Sequence, residues 1–443
     1  MLRRTSQLKN LRHTLSEAGM LLVLVTLCAL FAVLTVAEQY PSGVAAVPAI
    51  AEELGTAQDA VLIVVQDLPE DQQFAEELTR QLQKQGYSNA ISVVGDPPAV
   101  RGQMQKLSDI GTKVSAVVAT RVTRNYGPIL KLGTLFPNWE QARVISPKPY
   151  RASNFLKAEN LLNVANQIAV IAIVAIGMTI VIISGGIDLS VGSLIALSSV
   201  ITARLIRDYG GAEDASTWGL VICSCAGIFA TACAGALSGA ITAFGRIPSF
   251  IATLSMMLVA SGAAFLLAQG QSIPQIPEKF VWLGRRADLL GIPNCVVLMI
   301  GLYSLAHLVM SRTVMGRYLY AVGGNSEAAR LSGVPVRRVT ILAFAACGAL
   351  AGLGGVILSS QLKSGDPKYG NMYELYVIAA AVVGGTSLQG GEGRVFGTLV
   401  GAFVIAVIQN GMNLLGMESY TQKVVLGLVI VVAVLLDRLR RAG

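Results

Sequence analysis

Asp188, Ser190 and Ser193 stand together in the stretch I-I-S-G-G-I-D-L-S-V-G-S, Ile182 to Ser193. Around them, Leu161 to Ala203 is almost wholly apolar. Two glycines interrupt that run and a carboxylate fills the gap. Irregular backbone at membrane depth is tolerated only where protein buries it or where it lines a wet cavity. An ionisable group there is functional by default. Asp188 also fits a simpler role as a cap, accepting from the N–H of Ser190 or Val191 at the positive end of the next helix. The two roles are compatible in a re-entrant turn.

A second such stretch reads N-S-E-A-A-R-L-S-G-V-P, Asn325 to Pro335. Asn325 or Ser326 can cap a short helix, and Glu327, Ala328, Ala329, Arg330 and Leu331 are good helix formers. Gly333 ends it and Pro335 redirects the chain. With Ala328 and Ala329 small on one side, this helix is shaped to seat in another protein's groove; on spacing alone a solvated connector fits equally. Glu374 follows K-S-G-D-P-K-Y-G-N-M-Y and is expected at the outer end of a span. A first-turn acidic residue is favoured there by the helix dipole, and it could also meet a partner or a pathway mouth.

Other chemistry is missing from the sequence. G-G-T-S-L-Q-G-G-E-G lacks the lysine of a phosphate loop, and Gly95-Asp96-Pro97-Pro98 lacks the G-x-G-x-x-G of a dinucleotide site. The two histidines, His13 and His307, are far apart, and His307, at the end of an expected membrane helix, reads as structural rather than as a ligand or proton carrier. Five of six cysteines lie within apolar segments and Cys295 begins one, so no disulfide framework is indicated. The expectation is a chain with no catalytic residue, no cofactor and no metal.

The elements that must position these residues are membrane helices. Of 443 residues 53% are hydrophobic and only 14% charged, against roughly a quarter charged in soluble proteins. Apolar segments of bilayer length recur: the first from about Gly19 to Ala37, then near 162–182, 189–207, 217–242, 249–269, 293–310, 340–361, 373–389, 396–415 and 421–437. The fold class is therefore an all-α polytopic membrane protein of about ten transmembrane helices. The first apolar stretch also loosely fits a cleaved signal ending at Thr35-Val36-Ala37, but its length favours an uncleaved helix. The net charge of +8 gathers at helix ends, with Arg3, Arg4, Lys9 and Arg12 at the front and Arg438, Arg440 and Arg441 at the back. That pattern is topology, not nucleic-acid binding. It puts both termini and the loop 311–339, rich in arginine, in the cytoplasm.

Residues 40–158 are of a different kind. Short apolar runs at Ala60–Val65, Ala90–Val94 and Val114–Ala119 read as strands. Between them lie a helix with Phe74, Leu78 and Leu82 on one face, stopped at Gly86, and a second from about Pro98 to Ile110. This β-α-β-α-β order implies a small parallel sheet, a soluble extracytoplasmic α/β insertion between the first helix (domain 1–39) and the membrane-helix core (159–443). Along that core, Gly235 and Gly239, Gly348 and Gly352, and Gly393, Gly397 and Gly401 recur at four-residue intervals, a spacing that lets helices approach closely.

The phrase G-R-Y-L-Y-A-V-G-G-N-S-E-A-A-R-L-S-G-V resembles the coupling region of bacterial ABC-importer permeases, and of the ribose/xylose/arabinose-type sugar permeases in particular. S-G-G-I-D-L-S-V-G-S, P-S-F-I-A-T-L, E-L-Y-V-I-A-A-A-V-V-G-G-T-S-L-Q-G-G and N-G-M-N-L-L-G are similar to the same family, in the same order, across roughly Asn160 to Asp437. The α/β insertion is the departure from it. The resemblance implies a permease subunit in the bacterial inner membrane that imports a monosaccharide or similar small polar solute. It implies a second permease chain in a homodimer, a separate ATPase subunit engaged through Glu327, Ala328, Ala329 and Gly333, and an extracytoplasmic sugar-binding protein. A neutral polyol needs donors and acceptors, so Asp188, Ser190, Ser193, Glu374, Gln409, Asn410 and Asn413 are the pathway candidates; interhelical hydrogen bonding is the other reading of these polar groups. An ion-coupled secondary transporter and a membrane-anchored solute sensor are the rival readings.

Overall fold

The computed structural model describes residues 19–55, 59–87 and 89–442. Arg3, Arg4, Lys9, Arg12 and His13 lie outside them, and of Arg438, Arg440 and Arg441 only the helical backbone is described. Two compact units are present: Val36–Ser153, and the chain that flanks it on both sides.

The Val36–Ser153 unit is a three-layer α/β/α module. Its sheet runs β3 (Ala90–Val94), β2 (Ala60–Val65), β4 (Val114–Ala119), β5 (Arg143–Ile145), all parallel. Side chains alternate across a strand, so Val61, Ile63 and Val65 face one layer with α2 (Val47–Leu54) and α3 (Pro69–Lys84), where Phe74, Leu78 and Leu82 are buried. Leu62 and Val64 face the other, with Val100 and Met104 of α4 (Pro97–Asp109). Two single-turn helices, α5 (Gly127–Leu130) and α6 (Leu132–Leu135), complete that second layer. Trp139 is buried there, its indole N–H donating to the Thr112 carbonyl at 2.8 Å. Burying each large apolar side chain contributes roughly 1.5–3 kcal/mol. An antiparallel ribbon, β1 (Val36–Gln39) with β6 (Tyr150–Ser153), pairs the two ends of the unit, Val36 opposite Ser153.

The flanking unit is helical: α1 (Gly19–Leu34), α7 (Ala158–Ile183), α8 (Val191–Asp208), α9 (Thr217–Gly245), α10 (Ser249–Ala268), the single turn α11 (Trp282–Arg285), α12 (Asn294–Arg312), α13 (Val314–Gly324), α14 (Ser326–Leu331), α15 (Val336–Leu362), α16 (Tyr373–Val383), α17 (Val395–Leu414) and α18 (Ser419–Ala442). Among the described residues six of these, α7, α9, α10, α12, α15 and α17, are long and apolar enough to cross a membrane; α1 and α16 are shorter apolar helices. α7 is the most enclosed of the six, packed by α12, α15, α16 and α17.

Small residues set the extensive crossing of α9 against α15. A Cβ on Gly235 would stand 3.2 Å from the Gly348 Cα and would strike the Phe344 carbonyl oxygen; one on Gly348 would strike the Thr231 carbonyl. Gly239 and Gly352 are equally tight, on Ile341 and Ile228. Gly397 and Gly401 pack on Gly384 and Ala380 at the end of α16. Gly393 departs from this pattern. It precedes α17 in extended loop backbone with φ 156° and lies against Thr386 and Ile183, because α17 starts only at Val395.

Three expectations about segments are corrected. The span at 373–389 is a helix only to Val383, since the glycines from Gly384 onward turn the chain into a loop. The loop 311–339 holds, besides the short helix expected after Asn325, a second helix, α13, separated from the end of α12 by one residue. The helix expected to Ala37 gives way at Leu34 to the ladder of β1.

Candidate functional site

The helical break after Ile183 is held open by backbone and hydroxyl groups. Gly185 takes φ 85°, a conformation open to glycine at no cost. Gly186 rests on Phe344, which a Cβ would meet at 3.0 Å. Beyond it, the Ile187 N–H donates to the Ser249 hydroxyl at 3.0 Å and the Leu189 N–H to the Thr253 hydroxyl at 3.1 Å. Ser249 and Thr253 sit one turn apart on one face of α10, so P-S-F-I-A-T-L staples S-G-G-I-D-L-S. Sequence reasoning missed both as site residues; the signal was their i, i+4 spacing in the first turns of an apolar helix.

Asp188 is fully buried. Its Oδ1 accepts from the Ser190 N–H at 2.9 Å and the Ser190 hydroxyl at 2.5 Å, and the Ser193 hydroxyl donates to the Ser190 carbonyl at 2.8 Å. These bonds close a turn just ahead of α8; the N-cap residue of that helix is Ser190, and no side-chain cap bond is made there. The other oxygen, Oδ2, has no hydrogen-bond partner among the described residues. The Cys347 thiol of α15, a weak donor, borders the carboxylate.

Glu374 stands in the first turn of α16, as its reading as a first-turn acidic residue expects. Residues 363–372 leave α15 and run back along α8: Gly365 lies on Ser199 and Ala203, and Gly370 on Gly192 and Ile195. Glu374 thereby brings its carboxylate against Gly192 in the first turn of α8, where the Asp188 turn also ends. Two carboxylates and two hydroxyls thus meet at the positive end of one helix.

N-G-M-N sits elsewhere. Asn410 exchanges two 2.9 Å hydrogen bonds with Asn160 in the first turn of α7, and Asn413 accepts from Gln422 at 2.7 Å. Asn160 and Asp188 are separated by the length of α7, about 1.5 Å per residue over its helical part. Gln409 is half-buried on the same helix, α17.

α14 forms the second site. The Asn325 side chain accepts from the N–H groups of Glu327 and Ala328 at 3.1 and 2.9 Å, the capping expected of it. Ala329 is turned inward, while Glu327, Ala328, Arg330 and Leu331 are exposed, Leu331 by 76%. Arg330 bridges back to Glu327 at 2.5 Å and holds that carboxyl below its ordinary range. Gly333, at φ 86°, closes the turn.

A bundle of apolar helices with a polar break inside it and a capped, exposed helix on one loop has the build of a membrane permease. The chain belongs to the family described as "branched-chain amino acid transport system / permease component", whose model matches residues 160–434. It is 42% identical over 288 residues to the ribose import permease protein RbsC of Escherichia coli K12, covering 64% of this chain and 87% of that one. Similarity to the Bacillus subtilis RbsC is 40% over 290 residues, 65% and 88% of the two chains. To the L-arabinose ABC transporter permease protein AraH of Azospirillum brasilense it is 35% over 288 residues, 65% and 82%. No solved structure matches. The chain is thus a multi-pass transport component of an ABC importer, not an enzyme, and works with an ATPase and a substrate-binding partner.

Proposed function

We propose that this permease carries a monosaccharide, or a small polar solute like it, through the bacterial inner membrane. The observation that carries the reading is the similarity along more than four-fifths of permeases named for ribose and L-arabinose import. The first turn of α8 supports it chemically. A neutral polyol needs acceptors and donors at membrane depth, and Asp188, Ser190, Ser193 and Glu374 supply both without an ion pair. Asn410 and Asn413 serve helix contacts in this reading.

Two copies of the chain form the pathway, with about ten spans each, both termini in the cytoplasm and the α/β module outside. α14 seats on the ATPase through Glu327, Ala328, Arg330 and Leu331, with Ala329 and Gly333 fixing its shape. An ion-coupled carrier has no use for such a helix. The module is a docking platform for the solute-binding partner.

The test is gentle purification of the intact chain from its native membrane, followed by uptake of labelled pentoses in proteoliposomes. An ATPase should accompany the chain in stoichiometric amount and drive uptake. Uptake that follows an ion gradient, with no ATPase even after crosslinking, sinks the proposal.

A further inference from the structure

Between α14 and the Asp188 turn lies a contact that involves no side chain. Gly323, two residues ahead of the Asn325 cap, packs on the last carbonyl of α7: a Cβ there would run into the Ile183 oxygen and stand 2.5 Å from the Gly391 nitrogen. The Gly391 N–H donates to the same Ile183 carbonyl at 2.8 Å. Gly390 completes the group, since a Cβ on it would come within 2.9 Å of the Gly185 Cα and 2.8 Å of the Gly323 oxygen. The ends of α13 and α7 and the loop after α16 therefore meet backbone to backbone. A separate tie runs from the Tyr320 hydroxyl of α13 to the Gly393 carbonyl at 2.8 Å.

Side chains absorb small displacements by changing rotamer; backbone in direct contact cannot, and packed interiors pass strain on. A shift of α13 therefore reaches the Ile183 carbonyl undiminished. Gly185 and Gly186 follow at once, and Asp188 comes five residues after Ile183. The far side of the turn is fixed to α10 through Ser249 and Thr253. One end of the turn is clamped and the other is driven.

We propose that Gly323 is the positioning residue through which the ATPase-facing helix moves the Asp188 turn. The inference rests on the reading of α14 given above. The Gly323–Ile183–Gly391 junction converts movement of α14 into opening or closing of the helical break; the Gly324 backbone also borders Gly391, but a Cβ on Gly324 would point into open space and meet nothing within 4 Å.

The test uses the complete importer in proteoliposomes, with ATPase retention, ATP hydrolysis and solute uptake measured together. Gly323→Ala should retain the ATPase and hydrolyse ATP while uptake per ATP falls roughly tenfold, within the range of coupling changes seen for such networks. Gly324→Ala should match the parent. Tyr320→Phe, which removes a hydrogen bond and no volume, should lower uptake per ATP roughly threefold. Parental uptake per ATP in Gly323→Ala overturns the proposal. So does an unassembled Gly323→Ala chain together with a Tyr320→Phe chain of parental coupling. Absence of the ATPase from the parent chain overturns the reading of α14, and the relay with it.

Discussion

The Leu189 N–H, in the break between α7 and α8, donates to the hydroxyl of Thr253 on α10 at 3.1 Å. Sixty-four residues separate the two, so this bond fixes tertiary structure. Thr253→Val keeps the shape of the side chain and leaves that N–H without its acceptor, at a cost of about 1–3 kcal/mol. Thermal unfolding in detergent should show a lower Tm for Thr253→Val and a near-parental one for Thr253→Ser. Equal Tm values for all three chains contradict the staple.

Asp188 offers a sharper separation of fold from transport. Both bonds from Ser190 go to Oδ1, and an asparagine carbonyl accepts them as well. Asp188→Asn should therefore fold with a stability change within about 1 kcal/mol. Its second oxygen becomes an amide donor, and an acceptor for solute hydroxyls is lost. Uptake is expected to fall about tenfold, equivalent to ~1.4 kcal/mol. Asp188→Ala also orphans the Ser190 N–H and should lower Tm. Parental uptake by Asp188→Asn removes the carboxylate from the pathway.

How far the sequence reached follows from how local each signal is. The strands at Ala60–Val65, Ala90–Val94 and Val114–Ala119 were legible because a short apolar run between polar turns has few other uses. Three-residue β5 carries no such signal. Asn325 announced its own cap, since a capping bond spans three residues. The first-turn place of Glu374 was legible, but its contact with Gly192, 182 positions away, was not, since nothing local marks a segment that folds back along α8. The spacing of Gly235, Gly239, Gly348 and Gly352 signals a close crossing of helices, but which helices pair is decided only in three dimensions. Gly323 and Gly391 follow no repeat at all, since each meets only remote backbone.

The α14 ion pair makes a prediction about pH. Arg330 holds the exposed Glu327 carboxyl below its ordinary value of 4.5. A depressed folded-state pKa means that the pair's contribution is present above the ordinary value and is lost only as pH falls through the depressed one. ATPase retention should thus be flat from about pH 8 to about pH 5, with Glu327→Gln parallel to the parent. Glu327→Arg places like charge beside Arg330 and should shed the ATPase throughout that range. A step in retention near neutral pH that Glu327→Gln abolishes contradicts this assignment.

The α/β module closes on itself, and that makes it removable. Val36 and Ser153 face each other in the β1–β6 ladder, where opposed Cα atoms are about 5 Å apart. Immediately outside, the Asn154 N–H donates to the Thr35 carbonyl and the Phe155 N–H to the Thr35 hydroxyl, both at 3.1 Å. The two cut ends are therefore already held together by residues of the helical unit. Replacing 36–153 with a short Gly-Ser link of about three residues should leave an inserted chain that retains its ATPase, because loop closure over so small a gap costs little. The excised 36–153 fragment has both faces of its sheet covered and its own buried Trp139, and should give a cooperative unfolding transition in solution. Solute delivery is where the two chains should differ. If the module docks the binding partner, the shortened chain needs more of that partner to reach half-maximal uptake, while the rate at saturation is unchanged. An unchanged half-maximal concentration means that the module does not dock the partner.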